Sequence, residues 1–327
     1  MGAVTDIVTA TDNQRTSRGP SLKVQRILAF ILLLAQGGIT VTGSIVRVTG
    51  SGLGCDSWPN CHEGSLVPVA GAAPAIHQAI EFGNRLLTFV LAAIAIAVFV
   101  AVLRAGRRRE IIVYSVISGL GIILQAVIGG VSVLLNLQWW AVAVHFLPSM
   151  VLVWIAALLY MRLAEPDGGQ PVRMFPQSIR TLSLIGAVAL SLVLITGTMV
   201  TGAGVHSGDA GVGMDGRLDV DIRLMAYVHA AMMYIYLATT LLLTWLLRRR
   251  KAPRAALQTA YVLVAMILVQ WAIGLIQFYL GIPRWTIPVH IAMSSVVVAF
   301  SAFLYAHGLR RVDSRPSSSK SDANAVR

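Results

Sequence analysis

Eight apolar runs of membrane-spanning length recur along the chain, at residues 27–46, 80–103, 111–135, 139–161, 182–202, 224–247, 257–280 and 287–307. A hydrocarbon core about 30 Å thick is crossed by about 20 predominantly apolar residues in an α-helix. Inside that core each backbone N–H and C=O must be satisfied by the protein itself, which leaves only helices and closed barrels. A membrane barrel would show short segments of alternating polarity, whereas these runs are continuous. The fold class expected is therefore an all-α polytopic membrane protein with eight transmembrane helices. Charge content agrees: 12% of the 327 residues are Asp, Glu, Lys or Arg, against about 25% in soluble domains.

The net charge of +12 invites a nucleic-acid reading until the charges are placed. With the amino terminus inside, segments 1–26, 104–109, 162–180, 248–254 and 310–327 all face inward and hold 21 of the 26 Lys and Arg. The other five are Arg47, Arg85, Arg217, Arg223 and Arg284. Cytoplasmic loops carry such an excess in membrane proteins. Both termini are thus expected in the cytoplasm, with the chain in the cell membrane. The basic excess reads as a topology signal and a contact with anionic lipid in the bilayer, not as a nucleic-acid site. Residues 1–26 lack an apolar core followed by a small-residue cleavage site, so they read as a cytoplasmic tail rather than a signal peptide. Residues 310–327 are Ser-rich and charged and are expected to be disordered.

An internal duplication organises what lies between the tails. Gln138-Trp139-Trp140-Ala141-Val142-Ala143-Val144-His145 is echoed by Pro283-Arg284-Trp285-Thr286-Ile287-Pro288-Val289-His290, an offset of 145 residues. The same offset carries Gln125 onto Gln270, Gly129 onto Gly274 and Trp140 onto Trp285. Thr42-Gly43-Ser44 near the end of the first span is echoed by Thr196-Gly197-Thr198 in the fifth. Two four-helix halves are expected, 27–163 and 181–309, joined by an inner linker at 164–180. Equal orientation makes them a parallel repeat about an axis along the membrane normal. In this register His229 falls on Asn84.

Polar and ionisable groups inside a membrane are costly and mark function by default. The set here is His145, His229, His290, Glu81, Asn84 and Arg85, with His77 at the mouth of the second span. The three span histidines lie ~5–9 Å inside the outer ends of their helices at ~1.5 Å per residue. Matched depth suits axial ligation of a haem iron by facing imidazoles, and His229 with His290 supplies such a pair in the second half. The competing readings are hydrogen bonds to neighbouring helices and a proton relay. A relay needs ionisable groups strung across the membrane, and the inner half has almost none. Zinc is disfavoured, because no close Cys/His cluster lies within the spans. Spacing i, i+4, i+7 puts His77, Glu81 and Asn84 on one helix face. Glu81 then either looks into the first-half pocket or pairs with Arg85, four residues on.

Cys55 and Cys61, the two cysteines of the chain, both fall in the first outer loop. A disulfide is expected on that oxidising side, with a reactive dithiol as the alternative. Cys61-His62 is not a covalent haem attachment motif, which needs another Cys three residues earlier, where Trp58 stands.

The first loop carries a longer signature. Gly43-Ser44-Ile45-Val46-Arg47-Val48-Thr49-Gly50-Ser51-Gly52-Leu53-Gly54-Cys55, followed by Trp58-Pro59-Asn60-Cys61, resembles the first-loop motif of the haem A synthases. The resemblance extends over nearly the whole chain. It implies oxidation of a porphyrin methyl of haem O to a formyl group, giving haem A for aa3-type terminal oxidases. It implies haem b as cofactor, on His229 and His290, and a substrate haem in the first half on His145. The family's acidic residue of the second span matches Glu81, read here as catalytic, and Asn84 and Arg85 are assigned to the same substrate-haem pocket. Arg47, with Arg217 or Arg223, suits haem propionates at the outer surface, with ordinary interfacial anchoring as the alternative. The family's second-span histidine falls on Asn84, where this chain departs from the pattern. Haem O synthase and terminal oxidase assembly proteins are the partners implied. The competing class is a non-catalytic dihaem b-type electron-transfer cytochrome, which leaves Glu81 and the cysteine loop without a role. A repeat-built transporter would carry no chromophore.

Overall fold

A computed structural model describes residues 19–206, 208–209 and 215–312. Eight helices of 22 to 30 residues carry the chain: α1 (Leu22–Val48), α2 (Ala75–Arg104), α3 (Arg109–Leu134), α4 (Trp139–Arg162), α5 (Gln177–Ala203), α6 (Ile222–Arg249), α7 (Arg254–Tyr279) and α8 (Thr286–His307). Each is long and apolar enough to cross a membrane. Several begin a turn or so before the apolar run, because a cap precedes it. Ser21 Oγ accepts from Val24 N at 3.4 Å, and Asp221 Oδ1 accepts from Leu224 N at 2.8 Å, each satisfying an N–H that the first turn leaves orphaned. Pro74, Pro176 and Pro253 stand immediately before α2, α5 and α7, where no intrahelical N–H is needed.

α4 and α8 form the centre. α4 packs against α1, α3, α5 and α8, while α8 packs against α1, α4 and α7. Leu32, Met150, Val153, Ala156, Ala157, Val298 and Ala302 fill the seam. Met150 and Ser295 are 145 residues apart, and they touch: Ser295 Oγ lies 3.9 Å from Met150 Sδ. Residues related by a two-fold repeat meet only near its axis, so the axis runs between α4 and α8. Ser295 Oγ also lies 3.1 Å from Thr40 Oγ1 on α1. Small residues permit these approaches in lipid. A Cβ on Gly121 of α3 would come within 2.4 Å of Leu152 on α4.

At one end of the bundle the 49–74 loop folds over the first half as a lid. At the other, the linker and the segment after α8 pair as an antiparallel ribbon, β1 (Gln170–Arg173) with β2 (Leu309–Val312). Arg162 and Glu165, nearly inaccessible to solvent, pair at 2.8 Å, and Arg108 joins Glu165 at 3.1 Å. Arg162 also donates to the Leu309 carbonyl and Arg311 to that of Gly169. Residues 310–312 therefore belong to a strand, not to the disordered tail expected from 310 onward. Its partner lies some 140 residues earlier in the chain, where composition of the tail cannot reveal it. Residues 313–327 and 1–18 lie outside the described residues.

Candidate functional site

The histidines sit where two helices of one half face each other. In the second half, α6 and α8 bring the His229 and His290 rings to a centroid separation of 6.3 Å, with their planes at 59°. Two metal–imidazole bonds of about 2 Å each would leave about 2 Å of that distance for the rings themselves. His229 Nδ1 is 3.1 Å from the Val193 carbonyl and 3.2 Å from Thr196 Oγ1, both on α5. Donation from Nδ1 to that carbonyl leaves the lone pair on Nε2, as an imidazole ligand requires. No Nε2 of His145, His229 or His290 bonds to a described residue. Nδ1 of His145 and of His290 is sealed from solvent and unpartnered. Buried imidazoles whose Nε2 bonds to no described residue fit a metal-centred group. Among the described residues no three His, Cys, Asp or Glu gather to hold a bare ion, so a planar group held by two opposed ligands suits the pair best.

The first half repeats half of this arrangement. Gln125 Nε2 donates to the His145 carbonyl at 3.0 Å and to Ser149 Oγ at 2.6 Å. Gln270 makes the same pair of bonds, to His290 O at 3.1 Å and Ser294 Oγ at 2.9 Å. Gly129 underlies the His145 ring, where a Cβ would stand 3.0 Å from Cε1, and Gly274 underlies His290 at 3.4 Å. The sequence register already contained these residues: Ser149 and Ser294 share the offset of 145 that relates Gln125 to Gln270. The opposite wall differs. Asn84 of α2 accepts a hydrogen bond from Thr42 Oγ1 of α1 at 2.7 Å.

Glu81 and Arg85 are both engaged with the lid. Glu81 Oε2 accepts from Cys55 N at 2.7 Å, and Oε1 accepts from Arg85 Nη2 at 2.6 Å. Arg85 further donates to the carbonyls of Cys55, Ser57 and Asn60 at 2.9–3.0 Å. Of the two options open for Glu81, the structure shows the Arg85 ion pair. Cys55 and Cys61 are joined in a disulfide. The ring it closes is held further by His62, whose Nε2 is 3.0 Å from Gln78 Oε1 on α2. Trp58 packs so closely on Gly130 of α3 that a Cβ there would lie 2.2 Å from its ring. With the bond formed, maleimide labelling of unreduced, solubilised protein is expected to modify neither cysteine. Labelling of both would show free thiols.

Arg47 reaches from α1 across to the second half. Its Nη2 donates to the Thr201 carbonyl of α5 at 2.9 Å, while its Nε is sealed and unpartnered. Nearby the two loops touch, through Gly52 N and Gly208 O at 2.8 Å. His77 stands at the start of α2, with its Nδ1 2.8 Å from Ser51 Oγ of the loop.

An eight-helix membrane bundle that brings the imidazoles of α6 and α8 together and carries another on α4, with a disulfide-closed loop at the same end, is an arrangement that suits a membrane haem protein. The chain belongs to the COX15-CtaA family of cytochrome oxidase assembly proteins, whose model matches residues 26–302. It is similar to the heme A synthase of Listeria welshimeri, 25% identical over 295 residues, covering 86% of this chain and 94% of that protein. The heme A synthase of Exiguobacterium sibiricum is 28% identical over 176 residues, 53% of this chain and 56% of its own. That of Bacillus licheniformis is 29% identical over 155 residues, 47% of this chain and 50% of its own.

Proposed function

We propose that this protein is a haem A synthase, a membrane haem-dependent oxidoreductase that converts haem O to haem A by oxidising one porphyrin methyl to a formyl group. The observation that carries the reading is the opposed His229–His290 pair, set in a repeat whose other half keeps only His145 and lies under the lid. Similarity to the heme A synthases supplies the substrate.

In this reading His229 and His290 hold the iron of haem b, and His145 holds that of the substrate haem. Haem b, when bound, supplies reversible one-electron chemistry beside the substrate pocket. The chain's own residues do the rest. The α5 carbonyl of Val193 orients His229, and the Gln125–Ser149 and Gln270–Ser294 ties steady the backbone beneath His145 and His290. The unpartnered Nε of Arg47 suits a porphyrin carboxylate, since charge-assisted bonds to carboxylates are the strong ones. The lid excludes water from the first-half pocket. Glu81 is proposed as the carboxylate that takes up a proton or stabilises developing positive charge at the substrate, held in place by Arg85. The lid end lies outside and both termini lie in the cytoplasm of a cell-membrane protein, which allows a lipid-soluble substrate to enter between helices. Haem O synthase and terminal oxidase assembly proteins are the partners proposed for this activity.

The test is co-expression with a source of haem O, followed by haem extraction and mass analysis. Haem A is expected in the extract. Unchanged haem O, in protein that retains its low-spin spectrum, would instead identify a non-catalytic dihaem electron carrier.

A further inference from the structure

The two halves differ at one wall, and the difference has a chemical consequence for the first. Thr42 on α1 bonds Asn84 on α2 at 2.7 Å, and its counterpart Thr196 on α5 lies 3.2 Å from His229 Nδ1 on α6. Asn84 therefore takes the place of His229 in the packing as well as in the register. The glycine after each threonine shows what the exchange leaves. A Cβ on Gly197 would meet His229 Cε1 at 3.1 Å, whereas a Cβ on Gly43 would meet nothing within 4 Å. Space beside Gly43 is open where the His229 ring fills the space beside Gly197. The facing wall is unchanged, with His145 over Gly129 as His290 is over Gly274.

Among the described residues, the other polar side chains around the first half do not refill the position. His77, whose Nδ1 is 2.8 Å from Ser51 Oγ, sits seven residues, ~10 Å along the helix, from Asn84, too far to reach the position. Both ring nitrogens of His62 are engaged, by Asp56 and Gln78. Glu81 and Arg85 are bound to each other and to the lid. Asn84 itself is a poor iron ligand, because its carbonyl oxygen is weak and its amide nitrogen is not basic. With Oδ1 accepting from Thr42, however, its Nδ2 is left as a donor. Hydrogen-bond donors beside an open iron position govern which small ligands bind there.

Resting on the reading of the first half as a haem pocket, we propose that its haem is held by His145 alone and takes an exogenous small ligand on the Asn84 side, with the Asn84 amide as hydrogen-bond donor to it. One protein ligand also makes this haem the exchangeable one of the two, as a substrate must be.

Carbon monoxide is the probe, added to the reduced, purified full-length protein carrying two haems. One haem is expected to form a carbonyl adduct, and His145→Leu should remove that haem and the adduct together. Asn84→His should abolish the adduct and make both haems low-spin. Asn84→Leu should keep the adduct but shift its C–O stretch to that of a pocket without a donor. Two bound haems with no adduct in the wild type would overturn the proposal while leaving the first-half haem pocket standing. Failure of His145→Leu to lower the haem content would overturn the pocket and the proposal with it.

Discussion

Either His229→Leu or His290→Leu is expected to remove the low-spin haem b signal from the reduced-minus-oxidised spectrum. In the proposed reading each change deletes one of the two ligands of the haem iron, and Leu fills the space without offering a donor. Loss of an outer partner of a ligating histidine typically weakens metal binding 10–100-fold, so loss of the imidazole should exceed about a hundredfold. Thr196→Val is the graded control. It removes one neighbour of His229 Nδ1 at 3.2 Å but leaves the Val193 carbonyl at 3.1 Å, so the spectrum should persist with weakened haem retention. Helix content measured alongside separates ligand loss from misfolding. Two variants with unchanged spectra would place the cofactor elsewhere.

Much of this pair was legible in the sequence, because the membrane narrows the options. An imidazole in an apolar run has few uses, and the register relating His145 to His290 put two of them at equal depth. The register also relates Gln125 to Gln270, whose side chains cap the carbonyls of those histidines. Glu81 shows where such reading stops. Helical spacing put it on the face of His77 and Asn84, but its lid contact is with the backbone N–H of Cys55, and no side-chain pattern encodes that. The β1–β2 ribbon was illegible for a similar reason. Gln170–Arg173 and Leu309–Val312 are short and exposed, without alternating polarity, and they pair across the whole second half. Ion pairs such as Arg108–Glu165 hold that end together, yet in sequence they look like ordinary charges at helix ends.

Glu81→Gln is expected to lower turnover by about 10²-fold or more, the scale of a lost acid–base group, while the haem b spectrum stays intact. Arg85→Met is expected to act first on the lid. The Glu81 side chain is 6% exposed and that of Arg85 20%. Removing one partner of a buried ion pair costs about 3–5 kcal/mol, because the other charge is left uncompensated. Here the carbonyls of Cys55, Ser57 and Asn60 lose their donor as well. Glu81→Gln also weakens the lid: if the amide oxygen accepts from Cys55 N, its NH2 faces the Arg85 guanidinium, but Arg85 keeps its bonds to the carbonyls of Cys55, Ser57 and Asn60. The rate at which dithiothreitol reduces the Cys55–Cys61 bond reports lid opening independently of chemistry. It should rise in both variants, and further in Arg85→Met, which loses the carbonyl bonds as well. Turnover that falls in step with disulfide reducibility across both variants would make Glu81 an anchor of the lid and nothing more, as would normal conversion of haem O by Glu81→Gln. A loss of turnover far larger than the gain in reducibility is what a carboxylate acting on the substrate requires.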